Sequence, residues 1–314
     1  MIDQNSFGYK LKSELSEPTR QSALQKKALL YGLVLFSRGF FQNTLLTQTE
    51  YECVATRLKA LLMELCGIDA TLSSLGGGNP LFLLSTATVE DKHKLLAYLS
   101  HSVYEISVKV NMANLESDDE ICAFIRGAFL ACGYVSDPGK TYRIEFVAPR
   151  YTLSKNLAYI LSQAGFEAKM TQRKGSYVLY FRESAVIEDL ITYMGATLST
   201  LELMDVKVLK DLRNNINRKT NCETANIEKT VTASTQQIKN IRALKRSGMY
   251  DLLSDELKEI ASLRLKYPES SLSELGEMAS PPLTRSGVSH RLRKINEIAA
   301  QAKIRTSKRT ASNK

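Results

Sequence analysis

Tryptophan is absent from this 314-residue chain, and histidine and proline are scarce at three and seven residues. The histidines, His93, His101 and His290, are scattered. The cysteines, Cys53, Cys66, Cys122, Cys132 and Cys222, form no CxxC and no regular spacing. These gaps exclude a zinc module and a disulfide framework, so the cysteines read as reduced, mostly buried small hydrophobes. No metal and no cofactor is expected. No apolar run reaches the ~20 residues of a membrane helix. The N-terminal MIDQNSFGYKLKSELSEP is polar and lacks the apolar core of a secretory signal. The expectation is a cytoplasmic protein with no membrane partner.

The net charge of +9 is unevenly placed. Residues 1–200 carry 20 basic and 20 acidic side chains, whereas residues 201–314 carry 22 and 13. A neutral body therefore precedes a basic module suited to a polyanion, with double-stranded DNA the first candidate.

The neutral body repeats itself. LLMELCGIDATLSS at 61–74 and YILSQAGFEAKMTQ at 159–172 both end an apolar helical run at a glycine, Gly67 or Gly165, and pass into alternation. Each is followed by a turn, a second strand (PLFLLST, YVLYFRE) and another helical run. Upstream stand KKALLYGLVLFSRGFF and FIRGAFLACGYV, apolar helices ending at Gly39 and Gly133. Two pseudo-symmetric α+β halves are predicted, over residues 1–102 and 103–205. Gly127, Ala128, Ala131, Cys132 and Gly133 make an unusually small helix surface. Small residues let two related helices cross closer than the ~8–10 Å of ordinary packing.

A paired small-residue helix followed by ββαββα resembles the LAGLIDADG homing-endonuclease fold. In active members of that family an acidic residue before the terminal glycine of each half holds a catalytic divalent metal. Arg38 and Cys132 stand at those positions here, and the nearest carboxylate in sequence is Asp137. Arginine and a neutral thiol do not ligate a hard cation. The resemblance thus implies a degenerate, non-cleaving body. Cys132 as a nucleophile would need a base or a stabilised thiolate, and no histidine is near in sequence.

Residues 206–250 read as a linker containing a basic amphipathic helix. RNNINRKTNCETAN is expected to be irregular. From Thr224 a stripe of Ile227, Val231, Ser234, Ile238, Ile241 and Leu244 recurs at steps of three and four. NRKTNCETANIEKTVTAS resembles the signature of the WhiA family of sporulation and cell-division regulators of Gram-positive bacteria. That family joins a degenerate homing-endonuclease body to a C-terminal helix-turn-helix, the order read here.

Residues 251–305 fit an all-α helix-turn-helix domain, with the motif at about 272–305. Ser254 opens one helix, with Asp255 and Glu256 in its first turn. Ser271 and Glu274 form a capping-box pattern opening a short second helix. Pro281 and Pro282 interrupt the chain, and Thr284 is a natural N-cap for a third helix running to about Ala302. In that helix Val288, Leu292, Ile295 and Ala299 form one buried stripe. Ser286, Ser289, His290 and Arg293 point away from it and are the expected base contacts. Thr284, Arg285, Arg291 and Lys294 are the expected phosphate contacts. Gly287 leaves room for a backbone, either DNA or the second helix. The basic tail 306–314 is expected to be disordered. The resemblance implies a non-enzymatic, sequence-specific DNA-binding regulator of sporulation or of cell division and chromosome segregation. It would act at the nucleoid, with a sigma factor or division component as a possible protein partner. The alternative is an interaction scaffold in which DNA binding is secondary.

Overall fold

The computed structural model describes residues 3–40, 44–77, 80–102 and 108–311, with side chains as far as 301. It separates into two compact units, residues 1–211 and 212–314. No helix among the described residues is long and apolar enough to cross a membrane.

The first unit begins with α1 (Phe7–Ser16). Its first half is α2 (Ala23–Phe36), β1 (Leu45–Thr49), α3 (Glu52–Cys66), β2 (Thr71–Leu75), β3 (Leu81–Ser85) and α4 (Val89–Tyr98). Its second half is α5 (Asp118–Cys132), β4 (Gly133–Val135), β5 (Ile144–Ala148), α6 (Tyr151–Gln163), β6 (Lys169–Arg173), β7 (Ser176–Phe181) and α7 (Ser184–Tyr193). The antiparallel sheets run β1-β3-β2 and β4-β5-β7-β6. The order β5-β7-β6 repeats β1-β3-β2, with Leu84 and Leu179 at corresponding places on the central strands. The predicted α+β repeat is therefore present. Gly67 and Gly165 adopt positive φ of 61° and 86° where α3 and α6 end.

The two halves meet at α2 and α5. A capping box of Ser22 and Gln25 starts α2, and Ser117 caps an acidic first turn of α5. From Ala28 to Phe36 every residue of α2 is buried, Leu35 and Phe36 included. A Cβ on Gly32 would lie 2.2 Å from the Phe124 carbonyl oxygen and 2.8 Å from the Ala128 nitrogen. A Cβ on Gly127 would lie 2.2 Å from the Leu29 oxygen. The backbones touch where neither helix has a side chain. Gly127 and Ala128 are at the crossing, as the small helix surface suggested. The matching glycine in the first half is Gly32, whereas Gly39 lies in a turn beyond the helix with φ of 91°.

Helix α8 (Thr197–Arg246) corrects the expected irregular linker. RNNINRKTNCETAN lies wholly inside it and is exposed. Neither proline nor glycine occurs between Thr197 and Arg246. Polar residues cost a helix only tenths of a kcal/mol each, so nothing in the segment stops it. Thr230 donates back to the Asn226 carbonyl at 2.9 Å, which keeps its hydroxyl within the helix.

In the second unit α9 (Asp255–Lys266), α10 (Leu272–Glu277) and α11 (Arg285–Ala311) surround a separate core. That core takes Ile241 and Leu244 from α8, with Leu257, Ile260, Ala261 and Leu275. Helix α11 continues to Ala311, past the expected end at Ala302, so residues 306–311 are helical where a disordered tail was expected. Residues 312–314 lie outside the described residues.

Candidate nucleic-acid interface

The capping box predicted for α10 is formed: Glu274 N donates to Ser271 Oγ at 3.3 Å, and Ser271 N donates to Glu274 Oε2 at 2.7 Å. The turn that follows folds tightly back on α10. Leu283 N donates to the Gly276 carbonyl at 2.9 Å. A Cβ on Gly276 would stand 2.2 Å from the Leu283 oxygen. The residue that permits close approach in this motif is therefore Gly276. A Cβ on Gly287 would make only ordinary contacts, 3.5 Å from Thr284 Oγ1 at the nearest, so α10 does not require that glycine.

Thr284 caps α11, accepting from Gly287 N at 3.2 Å, and its hydroxyl lies 3.0 Å from that of Ser286. Val288, Leu292, Ile295 and Ala299 are all buried, at 0–1 % exposure, against the core of the second unit. That stripe fixes the rotation of α11. Ser286, Ser289, His290 and Arg293 are left exposed on the other side. Thr284, Arg285 and Lys294 are exposed as well. Arg291 is half-buried, with Nη2 3.2 Å from Glu256 Oε2 of α9. Arg293 is more loosely held, its Nε 3.9 Å from Glu297 Oε1.

In the first unit, Arg38 and Cys132 line one cleft of about 360 Å³ at the ends of α2 and α5, with Lys12, Glu50, Tyr51 and Tyr134. The carboxylate in this cleft is Glu50, from the end of β1. Asp137 is turned into its own loop, where Oδ1 accepts from Gly139 N at 2.9 Å. Sequence distance pointed to Asp137; the fold brings Glu50 instead.

Lys12 was not anticipated. It is 5 % exposed, donates to the Leu130 carbonyl at 3.1 Å, and stands 4.3 Å over the Tyr51 ring. Its ammonium complements the C-terminal end of α5. Burial lowers its pKa to about 8 and raises that of the Cys132 thiol to about 12. A protonated thiol, two basic side chains and one carboxylate are a poor donor set for a hard divalent cation. Among the described residues no group of three histidines, cysteines or acids is placed to hold a metal.

Comparison with known proteins assigns both units. Residues 121–213 match the WhiA LAGLIDADG-like domain, and residues 216–299 match the WhiA C-terminal HTH domain. A Clostridium botulinum protein named "Probable cell division protein WhiA" is 35 % identical over 314 residues, 95 % of this chain and 99 % of its own length.

This chain belongs to the WhiA family.

A second WhiA relative, from Clostridium acetobutylicum, is 43 % identical over 219 residues, 70 % of this chain and 67 % of its own length. The crystal structure of full-length WhiA from Thermatoga maritima shares the fold, with a TM-score of 0.57 at 18 % identity, across 95 % of this chain and 99 % of that one. The WhiA architecture, a LAGLIDADG-like body followed by a helix-turn-helix, is thus the architecture of this chain.

Proposed function

We propose that this WhiA-family chain binds duplex DNA sequence-specifically through α11 and acts as a regulator in cell division or sporulation, in the cytoplasm at the nucleoid. The observation that carries this reading is the rotation of α11. Its four-residue apolar stripe is buried, so Ser286, Ser289, His290 and Arg293 face solvent together. Short hydroxyls near a helix start reach base edges, and an arginine forks to guanine. Thr284, Arg285 and Lys294 suit phosphates on either side. Arg291, already paired with Glu256, is the weakest of the expected phosphate contacts. The names of the clostridial relatives favour the cell-division role.

We infer that the body does not cleave DNA. Counted from the crossing glycines, the fifth residue after Gly127 is Cys132 and the fifth after Gly32 is Ser37. Ser37 is buried, its hydroxyl donating to the Leu33 carbonyl at 2.6 Å. On this count the former metal positions are Ser37 and Cys132, with Arg38 one residue on; none of the three offers a carboxylate. Plasmid incubated with the protein and Mg²⁺ should stay supercoiled. Nicking abolished by Glu50→Ala would overturn this.

A protein partner, the second reading, has an observation of its own. Leu198, Leu201, Val208 and Leu209 of α8 are 73, 54, 66 and 60 % exposed. These four share one helix face within the first unit, an apolar patch of the kind that marks association. Full-length protein carrying Leu201→Glu and Val208→Glu should lose crosslinks to its partner in cells while keeping DNA affinity.

A further inference from the structure

A second cavity, of about 380 Å³, lies wholly within the second unit. Its walls include Lys229 and Thr230 of α8, Arg264 of α9, Ser271 and Ser273 at the start of α10, and Arg285 at the start of α11. Three cations thus face one cavity, and no carboxylate lines it among the described residues.

Arg264 is the unusual member. It is 2 % exposed, one of the largest fully buried side chains in the chain. Its Nη1 donates to the carbonyls of Ser270 at 2.6 Å and Pro268 at 3.4 Å, fixing the loop ahead of α10. Its Nε has no hydrogen-bond partner. No acid offsets its charge among the described residues, and burial lowers its pKa. A buried cation held only by carbonyls is costly, and an anion brought to the cavity would relieve that cost.

The hydroxyls point the same way. Ser271 Oγ accepts from Glu274 N, so its proton is free to donate outward. Ser273 has no partner for its hydroxyl among the described residues. Three positive charges and two free hydroxyl donors around one opening match a tetrahedral oxyanion better than a planar carboxylate.

We propose that this cavity is a phosphate site, built by Lys229, Arg264, Arg285, Ser271 and Ser273, which seats a backbone phosphate of the duplex that α11 reads. This rests on α11 being the recognition helix, since Arg285 begins that helix and places the cavity beside its N-terminus. It extends the DNA footprint to α8, so that a helix outside the motif clamps the backbone. Phosphate contacts position a protein on DNA without selecting sequence. The site therefore sets affinity and register, while base preference stays with Arg293 and its neighbours. Arg264 gives the cavity its field from within, and Lys229 and the serines make the contacts.

The test uses full-length protein and fluorescence anisotropy on several duplexes between about 50 and 200 mM salt, a range over which phosphate contacts weaken steeply. Lys229 is exposed, so its substitution should not unfold the chain. Lys229→Ala should weaken every duplex by a similar factor, about 3- to 10-fold at the low-salt end, and reduce the log–log salt slope by about 0.9. Ser273→Ala should weaken binding less and leave the slope unchanged. Inorganic phosphate, matched in ionic strength with chloride, distinguishes the source. If it raises the wild-type melting temperature, and Lys229→Ala loses both that rise and the DNA slope, one phosphate site serves DNA. If Lys229→Ala loses the phosphate effect but binds DNA like wild type, the site takes free phosphate and the duplex assignment is overturned. If neither arm changes, the site itself is overturned. Arg293→Ala run alongside separates the two levels: unchanged base preference there indicts α11, whereas an unchanged slope in Lys229→Ala indicts the cavity.

Discussion

At the scale of single residues, three positions carry consequences that composition does not announce. Gly32 and Gly127 each stand where a Cβ would meet the other helix's backbone at 2.2 Å. Backbone cannot give way as a side-chain end can. Gly127→Leu should therefore destabilise the first unit by roughly 3–5 kcal/mol or prevent its folding, and even Gly32→Ala should lower the midpoint of urea unfolding. Unchanged midpoints would contradict the crossing. Lys12 is the third. Its pKa falls from 10.5 to about 8 on folding. Between those values the unfolded chain holds a proton that the folded chain has released, so this lysine makes stability rise with pH. Below pH 8 its penalty is complete. Cys132, raised to about 12, acts in the opposite direction above the ordinary thiol range. Its effect is common to wild type and Lys12→Met and largely cancels in the difference. Wild-type stability relative to Lys12→Met should thus climb by roughly 2–3 kcal/mol from pH 7.5 to 10.5 in urea titrations. A flat difference would mean that Lys12 stays hydrated. Gly127 and Ala128 were legible because small residues on an apolar helix demand a reason. Gly32 was hidden by the large apolar residues on both sides of it, and Gly39 marks the helix end more plainly. Lys12 was illegible because its burial depends on α1 packing against α5, a contact between residues more than a hundred positions apart.

At the scale of elements, the repeat of helix, strand, helix and hairpin could be read from the chain because each copy is punctuated by glycine at the same helix end. The α11 stripe was equally readable, since steps of four and three leave little choice of buried face. The middle of α8 was not. Its polarity looked like a linker, yet helix formation needs only the absence of breakers and tolerable propensities. Amide exchange offers the check. Residues 212–233 should be protected above random-coil rates, though less than α2 or α5, because their hydrogen bonds are exposed to water. Coil-like exchange would restore the linker. Which α11 residues face solvent followed from helix geometry alone, whereas the fate of Arg291, turned to Glu256 of α9, required the fold.

At the scale of the whole molecule, charge and chemistry are divided between two units. The first has the LAGLIDADG-like fold of the WhiA family, with a lysine, an arginine and a buried thiol around the cleft at the ends of α2 and α5. The second holds the excess positive charge and presents an exposed polar helix face. DNA binding should accordingly fall steeply with salt, in proportion to the phosphates engaged. The central claim is that sequence reading resides in α11. The most direct measurement compares wild type and Arg293→Ala on a duplex selected by the wild-type protein and on a scrambled duplex at one salt concentration. The account predicts that Arg293→Ala lowers affinity for the selected duplex by about 5- to 150-fold, equivalent to ~1–3 kcal/mol, with little change on the scrambled one. An unaltered ratio between the two duplexes would contradict it.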